Sequence, residues 1–81
     1  MRLQVLYFAA VRDLLEIGEE VCEVPDGLDV AGLAAWLEAR HEPLRGRLAH
    51  VRFARNAVFV EATEPLATGD ESAVIPPGSG G

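Results

Sequence analysis

Eighty-one residues carrying thirteen acids against seven bases, a net charge of −6, leave room for one small core and no second domain. Such acidity argues against nucleic-acid binding, whose affinity comes from cationic neutralisation of phosphates, and favours a basic protein partner. No apolar run approaches the ~18 residues that span a bilayer, and no charged segment leads into an apolar one, so a cytoplasmic chain, unprocessed at its start, is expected.

In chain order, "RLQVLYF" (Arg2 to Phe8) has strand composition, with Leu3, Val5 and Tyr7 on one face and Gln4, Leu6 and Phe8 on the other. "AAVRDLLEIG" suits a helical turn closed by Gly18. "EVCEV" (Glu20 to Val24) is a second strand, ended by Pro25-Asp26-Gly27. It holds Cys22, the only cysteine, which excludes an internal disulfide, a CxxC redox pair and a cysteine-held iron–sulfur cluster. Cys22 stands where a small buried hydrophobe belongs.

Asp29 fits a helix N-cap, and Val30, Leu33, Ala34 and Leu37 follow at the i, i+3, i+4, i+7 spacing of a buried stripe. Gly32 inside that helix costs about 1 kcal/mol relative to alanine, so a close-packing reason for it is expected. Pro43 ends the helix. "VRFAR" (Val51 to Arg55) and "AVFVEA" (Ala57 to Ala62) form a hairpin about Asn56, a residue tolerant of positive φ. "TEPLATGD" is a loop in which Asp70 serves as a turn former. "ESAVI" is the last strand, stopped by Pro76 and Pro77, which have no N–H for a ladder.

One helix among five strands closes a core this small by covering one face of a mixed sheet, with first and last strands parallel and adjacent at its centre. This is an α+β fold of the β-grasp type: a domain over residues 1–75 followed by a flexible tail over 76–81. The helix is expected to meet Leu3, Val5, Tyr7, Val58, Val60 and Val74. Alternation then turns Leu6, Phe8, Phe59 and Ile75 to the opposite face. An uncovered apolar patch there marks a partner surface; the competing reading is a second minor core beneath the "TEPLATGD" loop.

The final residues, "IPPGSGG", bear the chemistry. Three of the eight glycines fall in the last four positions, and two terminal glycines arise by chance in only about one chain in two hundred. Pro76 and Pro77 form a stiff base from which six residues reach roughly 20 Å. Gly80 and Gly81, lacking Cβ, can thread a channel too narrow for side chains and deliver the Gly81 carboxyl group into another protein's active site. A carboxylate resists nucleophilic attack, so it must be activated. A mixed anhydride with AMP supplies a leaving group, and attack by sulfur leaves a thiocarboxylate, itself a soft nucleophile. The chain offers no base, metal site or phosphate loop for these steps and acts as a cosubstrate. All seven bases are arginine, so no lysine amine is present to accept an acyl group.

Elsewhere the chemistry is thin. His41 and His50 are far apart and lack Cys or acid ligands at metal spacing. Glu19 and Glu20 read as a solvated face, since a catalytic pair needs a pocket.

"VLYFAAVRDLL", "PLATGDESAVIPP" and the terminal "SGG" together resemble the small, sulfur-carrying subunits of molybdopterin synthase, over essentially the whole chain. The resemblance implies a ubiquitin-like β-grasp fold and a role in molybdenum cofactor biosynthesis. An adenylating, E1-like enzyme would use ATP to activate Gly81, an upstream sulfurtransferase would supply sulfur, and the large synthase subunit would accept the tail (Pro76, Pro77, Gly78, Ser79 and Gly80) and add sulfur to precursor Z. Phe8, Phe59 and Ile75 match the family's apolar partner contacts, the subunits form a heterotetramer, and the small chain binds no cofactor or metal of its own. Gly78 stands where the family usually has a bulkier apolar residue, which loosens tail anchoring; Asn56-Ala57 replaces the commoner Asn-Gly turn and is expected to alter hairpin geometry. Two alternatives stay open: a carrier for thiamine or tRNA thiolation that doubles as a protein modifier, and a ubiquitin-like binding module without terminal chemistry.

Overall fold

A computed structural model describes residues 1–78 of the chain. Five strands form one mixed sheet: β1 (Arg2–Tyr7), β2 (Glu19–Glu23), β3 (Arg52–Arg55), β4 (Val58–Val60) and β5 (Glu71–Ile75), in the order β2-β1-β5-β3-β4. β1 and β5 run parallel side by side, with Tyr7 opposite Val74, and every other pairing is antiparallel. The β-grasp arrangement expected from the strand pattern is the one found.

The main helix, α2 (Val30–Arg40), lies across one face. Asp29 caps it, its side chain accepting from Gly32 N–H at 2.8 Å, and Val30, Leu33 and Leu37 are buried. Gly32 has a steric reason: a Cβ there would stand 2.7 Å from a Leu28 side-chain carbon. With Leu3, Val5, Tyr7, Phe53 and Val74, the helix stripe makes up the core, joined by Leu44, Leu48 and Leu66. Cys22 is buried too, and burial pushes its thiol up to about 11, leaving it an inert packing group.

Three expectations are corrected. A separate helix α1 (Ala9–Leu15) follows β1, and it is closed by Glu16 in the left-handed region rather than by Gly18. Val58 does not meet α2: it shares the helix-side register with Arg55 and Ser72, but β4 is the outermost strand and Val58 stays 64% exposed. Glu20 is no solvated acid. It points to the helix side, accepts from Tyr7 Oη and lies 2.5 Å from His41 Nε2, tying the end of α2 to β2. Burial, reinforced by Glu20, pushes the Tyr7 phenol far above its ordinary value, so it remains a neutral donor.

The hairpin between β3 and β4 keeps a two-residue turn with positive φ at both Asn56 (49°) and Ala57 (71°), the backbone that matches strand twist. Ala57 therefore leaves the turn geometry unchanged, and the difference from glycine appears as strain, because a Cβ at positive φ crowds the following carbonyl. Ala57→Gly is expected to stabilise the fold by about 0.5–1 kcal/mol, read as a raised urea midpoint at unchanged slope.

Asp70 is more than a turn former. It is buried and accepts from Arg55 Nε at 2.7 Å, Asn56 Nδ2 at 3.1 Å and Ala67 N–H at 2.8 Å, fastening the hairpin tip to the start of β5. Burial alone would raise its carboxyl, but the Ala67 amide, Arg55 and Asn56 outweigh it and hold the group below the usual carboxylate range. A depressed folded value means a contribution present above the unfolded pKa of about 3.9 and lost as pH falls through the folded one. Asp70→Asn should lower stability at pH 7 by about 1–3 kcal/mol, and acidification below about pH 4 should then cost the variant less than it costs the wild type in urea titrations.

Candidate functional site: the open sheet face and the arm beyond it

Strand alternation builds the face opposite α2. Row by row across the sheet, Leu6 on β1 is followed by Ala73 on β5, Ala54 on β3 and Phe59 on β4. The two alanines are 7% and 6% exposed, a floor of short side chains between large ones. In the neighbouring row Ile75 sits opposite Arg52. Phe8 completes the patch at the end of β1: its backbone N–H bonds Val74 O at 3.3 Å and its carbonyl accepts from Val11 and Arg12, so the strand-to-helix corner fixes where the ring stands. Phe8 is 43% and Phe59 51% exposed, while Leu6 and Ile75 are half-buried.

The alternative of a second minor core is not what forms. The "TEPLATGD" loop turns to the helix side: Leu66 enters the main core, and the carbonyls of Glu64 and Ala62 accept the first amides of α2. Among the described residues nothing covers the apolar face, an exposed patch suited to a partner.

Charge is distributed unevenly around this patch. Beside β2, Arg2 Nε meets Glu23 at 2.7 Å and Gln4 donates to Glu19 at 2.6 Å. On the β4 side the Arg52 guanidinium lies over the Phe59 ring, 4.0 Å from its centroid, a cation–π geometry. Sequence reading found the apolar members of the face; the place of Arg52 was implicit in the same alternation, two residues before Ala54.

At the arm's root, Pro76 is buried while Pro77 and Gly78 are exposed. The stiff base is thus half inside the domain, and the five residues from Pro77 onward have a fully extended length of about 17 Å. Gly78 has φ +76° with open space where a Cβ would stand, so a bulkier residue is opposed there by backbone rather than by crowding. Ser79, Gly80 and Gly81, expected to enter a partner, lie outside the described residues. Among the described residues no group of three or more His, Cys, Asp or Glu side chains could hold a metal ion, and no helix is long and apolar enough to cross a membrane.

Comparison with known proteins gives a consistent picture. The ThiS family model matches residues 5–81. A molybdopterin synthase sulfur carrier subunit of Chlamydomonas reinhardtii is 39% identical over 83 residues, covering 100% of both chains. Among solved structures, a putative molybdopterin converting factor subunit 1 from Pyrococcus furiosus superposes with a TM-score of 0.85 at 33% identity, over 95% of this chain and 98% of that one. The complex of subunits 1 and 2 of the molybdopterin-converting factor from Helicobacter pylori contains a chain with the same fold, at a TM-score of 0.71 and 23% identity over 100% of both chains.

Proposed function

Because the chain belongs to the ThiS family, we propose that it is the sulfur carrier of a molybdopterin synthase, with Gly81 as the reactive residue and other proteins as the catalysts. The observation that carries this reading is likeness along the whole length to a molybdopterin synthase sulfur carrier subunit, with the family match running through Gly81. An adenylating partner uses ATP to join the Gly81 carboxylate to AMP and releases pyrophosphate. A persulfide on an upstream sulfurtransferase then displaces AMP to give an acyl disulfide, and a thiol cleaves its S–S bond, leaving a Gly81 thiocarboxylate and a disulfide.

In the synthase the large subunit grips the open face through Phe8, Phe59 and Ile75, and the arm enters its active site. There the thiocarboxylate sulfur attacks precursor Z and displaces an oxygen substituent. Water then cleaves the carrier–substrate thioester so that the sulfur stays and the Gly81 carboxylate leaves, and a second carrier repeats the step to complete the dithiolene. The residues of this chain dock, aim and present; binding energy gathered on the face offsets the cost of association and of placing the reactive group. The narrow Gly-Gly end excludes side chains from the channel. The chain holds no cofactor, works in the cytoplasm and assembles as two small and two large subunits.

The test is reconstitution. Thiocarboxylated chain, large subunit and precursor Z should together yield molybdopterin. Failure there, alongside successful thiazole or tRNA thiolation, would assign the carrier to another pathway.

A further inference from the structure

Among the described residues Arg52 is the one strand arginine without a carboxylate partner, Arg2 and Arg55 being paired. It is exposed, and among the described residues no carboxylate lies within ion-pair distance of it, whereas Arg2 on the same face is paired with Glu23. Its guanidinium carbon lies over the Phe59 ring, and among the described residues its side chain donates no hydrogen bond. Its register partner is Ile75, the last residue of β5, so the charge stands at the root of the arm.

We propose that Arg52 is a specificity-determining contact that receives a carboxylate of the large synthase subunit; this rests on the carrier reading above. Docking on the apolar patch strips water from whatever borders Phe59. An unpaired guanidinium buried in that way opposes binding, and a carboxylate opposite it turns the same charge into a charge-assisted, bidentate bond. The cation–π contact with Phe59 favours one placement of the side chain in advance, which lowers the rotamer entropy lost on docking. The chain as a whole is acidic, with a net charge of −6 even with Arg52 counted. A cation on the docking face therefore gives orientation: a partner attracted by the acidic body must place its own acid at this corner, and the arm then points in one direction only.

The experiment is titration of the large subunit with wild type, Arg52→Glu, Arg52→Met and Arg52→Lys at two salt concentrations, with urea midpoints measured for each. Arg52→Glu is expected to weaken binding at least about tenfold, as reversal of a close interfacial charge does. Arg52→Met should weaken it less and flatten the salt dependence, and Arg52→Lys should restore part of the loss, with all four proteins folded. Arg52→Glu binding within about twofold of wild type, while wild type still transfers sulfur, overturns this proposal alone. A wild-type chain that neither binds the large subunit nor transfers sulfur overturns the carrier reading with it. A wild-type homodimer dissociated by Arg52→Glu overturns the proposal in favour of a second copy as occupant. Should Arg52→Glu not fold, the salt dependence of Arg52→Met decides in its place: unchanged from wild type, it overturns the proposal.

Discussion

A chain lengthened by one alanine past Gly81 is expected to fold with an unchanged urea midpoint and to transfer no sulfur above background. The reasoning separates two properties that reside in different parts of the molecule. Stability resides in the sheet and α2, whose core closes on Leu3, Val5, Tyr7, Leu33, Leu37 and Val74; the last strand ends at Ile75, and Pro76 is the final buried residue among those described. Nothing added after Gly81 disturbs that packing. Reactivity, on the carrier function proposed above, resides in one carboxyl group. With an alanine appended, the Gly81 carbonyl becomes an amide with no acid oxygen to adenylate. The new carboxylate stands one residue too far along and carries a Cβ into a channel suited to glycine. A ubiquitin-like binding module would tolerate the extension, so the same variant separates the two classes of function.

Phe8→Asp should weaken binding to the large subunit by about 100-fold or more, since a central aromatic anchor is worth at least about 2 kcal/mol at an interface and a buried unpaired carboxylate adds to the loss. Its effect on folding should be small. Phe8 occupies the N-cap of α1 in an extended conformation, with no side-chain hydrogen bond to the helix. Aspartate is among the best N-cap residues and contributes about 1 kcal/mol, which offsets what is lost from the half-covered ring. A position where aspartate would cap the helix instead holds an exposed phenylalanine: folding alone does not account for that choice, and the docking role proposed above would. Isothermal titration and urea unfolding of the same preparation read both quantities. A binding loss matched by an equal loss of stability would return Phe8 to a structural role.

How much of this was legible in the sequence follows from which physical signals are local. Period-two alternation in Arg2–Tyr7 and Glu71–Ile75 gave both faces of the central strands, and the Asp29 cap with its apolar stripe gave α2, because each depends on neighbours within a few residues. The apolar members of the open face, Phe8, Phe59 and Ile75, were readable for the same reason. Val58 was misplaced because alternation tells which face a residue points to but not how far the covering helix extends. Sequence alone makes Glu20 a solvated acid and Asp70 a turn former because their partners, Tyr7 and His41 in one case and Arg55 and Asn56 in the other, lie 13 to 21 and 14 to 15 residues away. Arg52 needed the register of two strand pairs before its position over Phe59 and beside Ile75 could be seen. The Pro-Pro segment was read as standing off the domain, and only packing reveals that its first residue is buried.

The most direct measurement is the intact mass of the chain purified from its native cell. Exchange of one oxygen for sulfur at Gly81 predicts a species heavier by about 16 Da, traced by fragmentation to the last residue and absent from the alanine-extended variant. A chain found only at its unmodified mass, in cells that are actively making molybdopterin and lack any other carrier, would contradict the account.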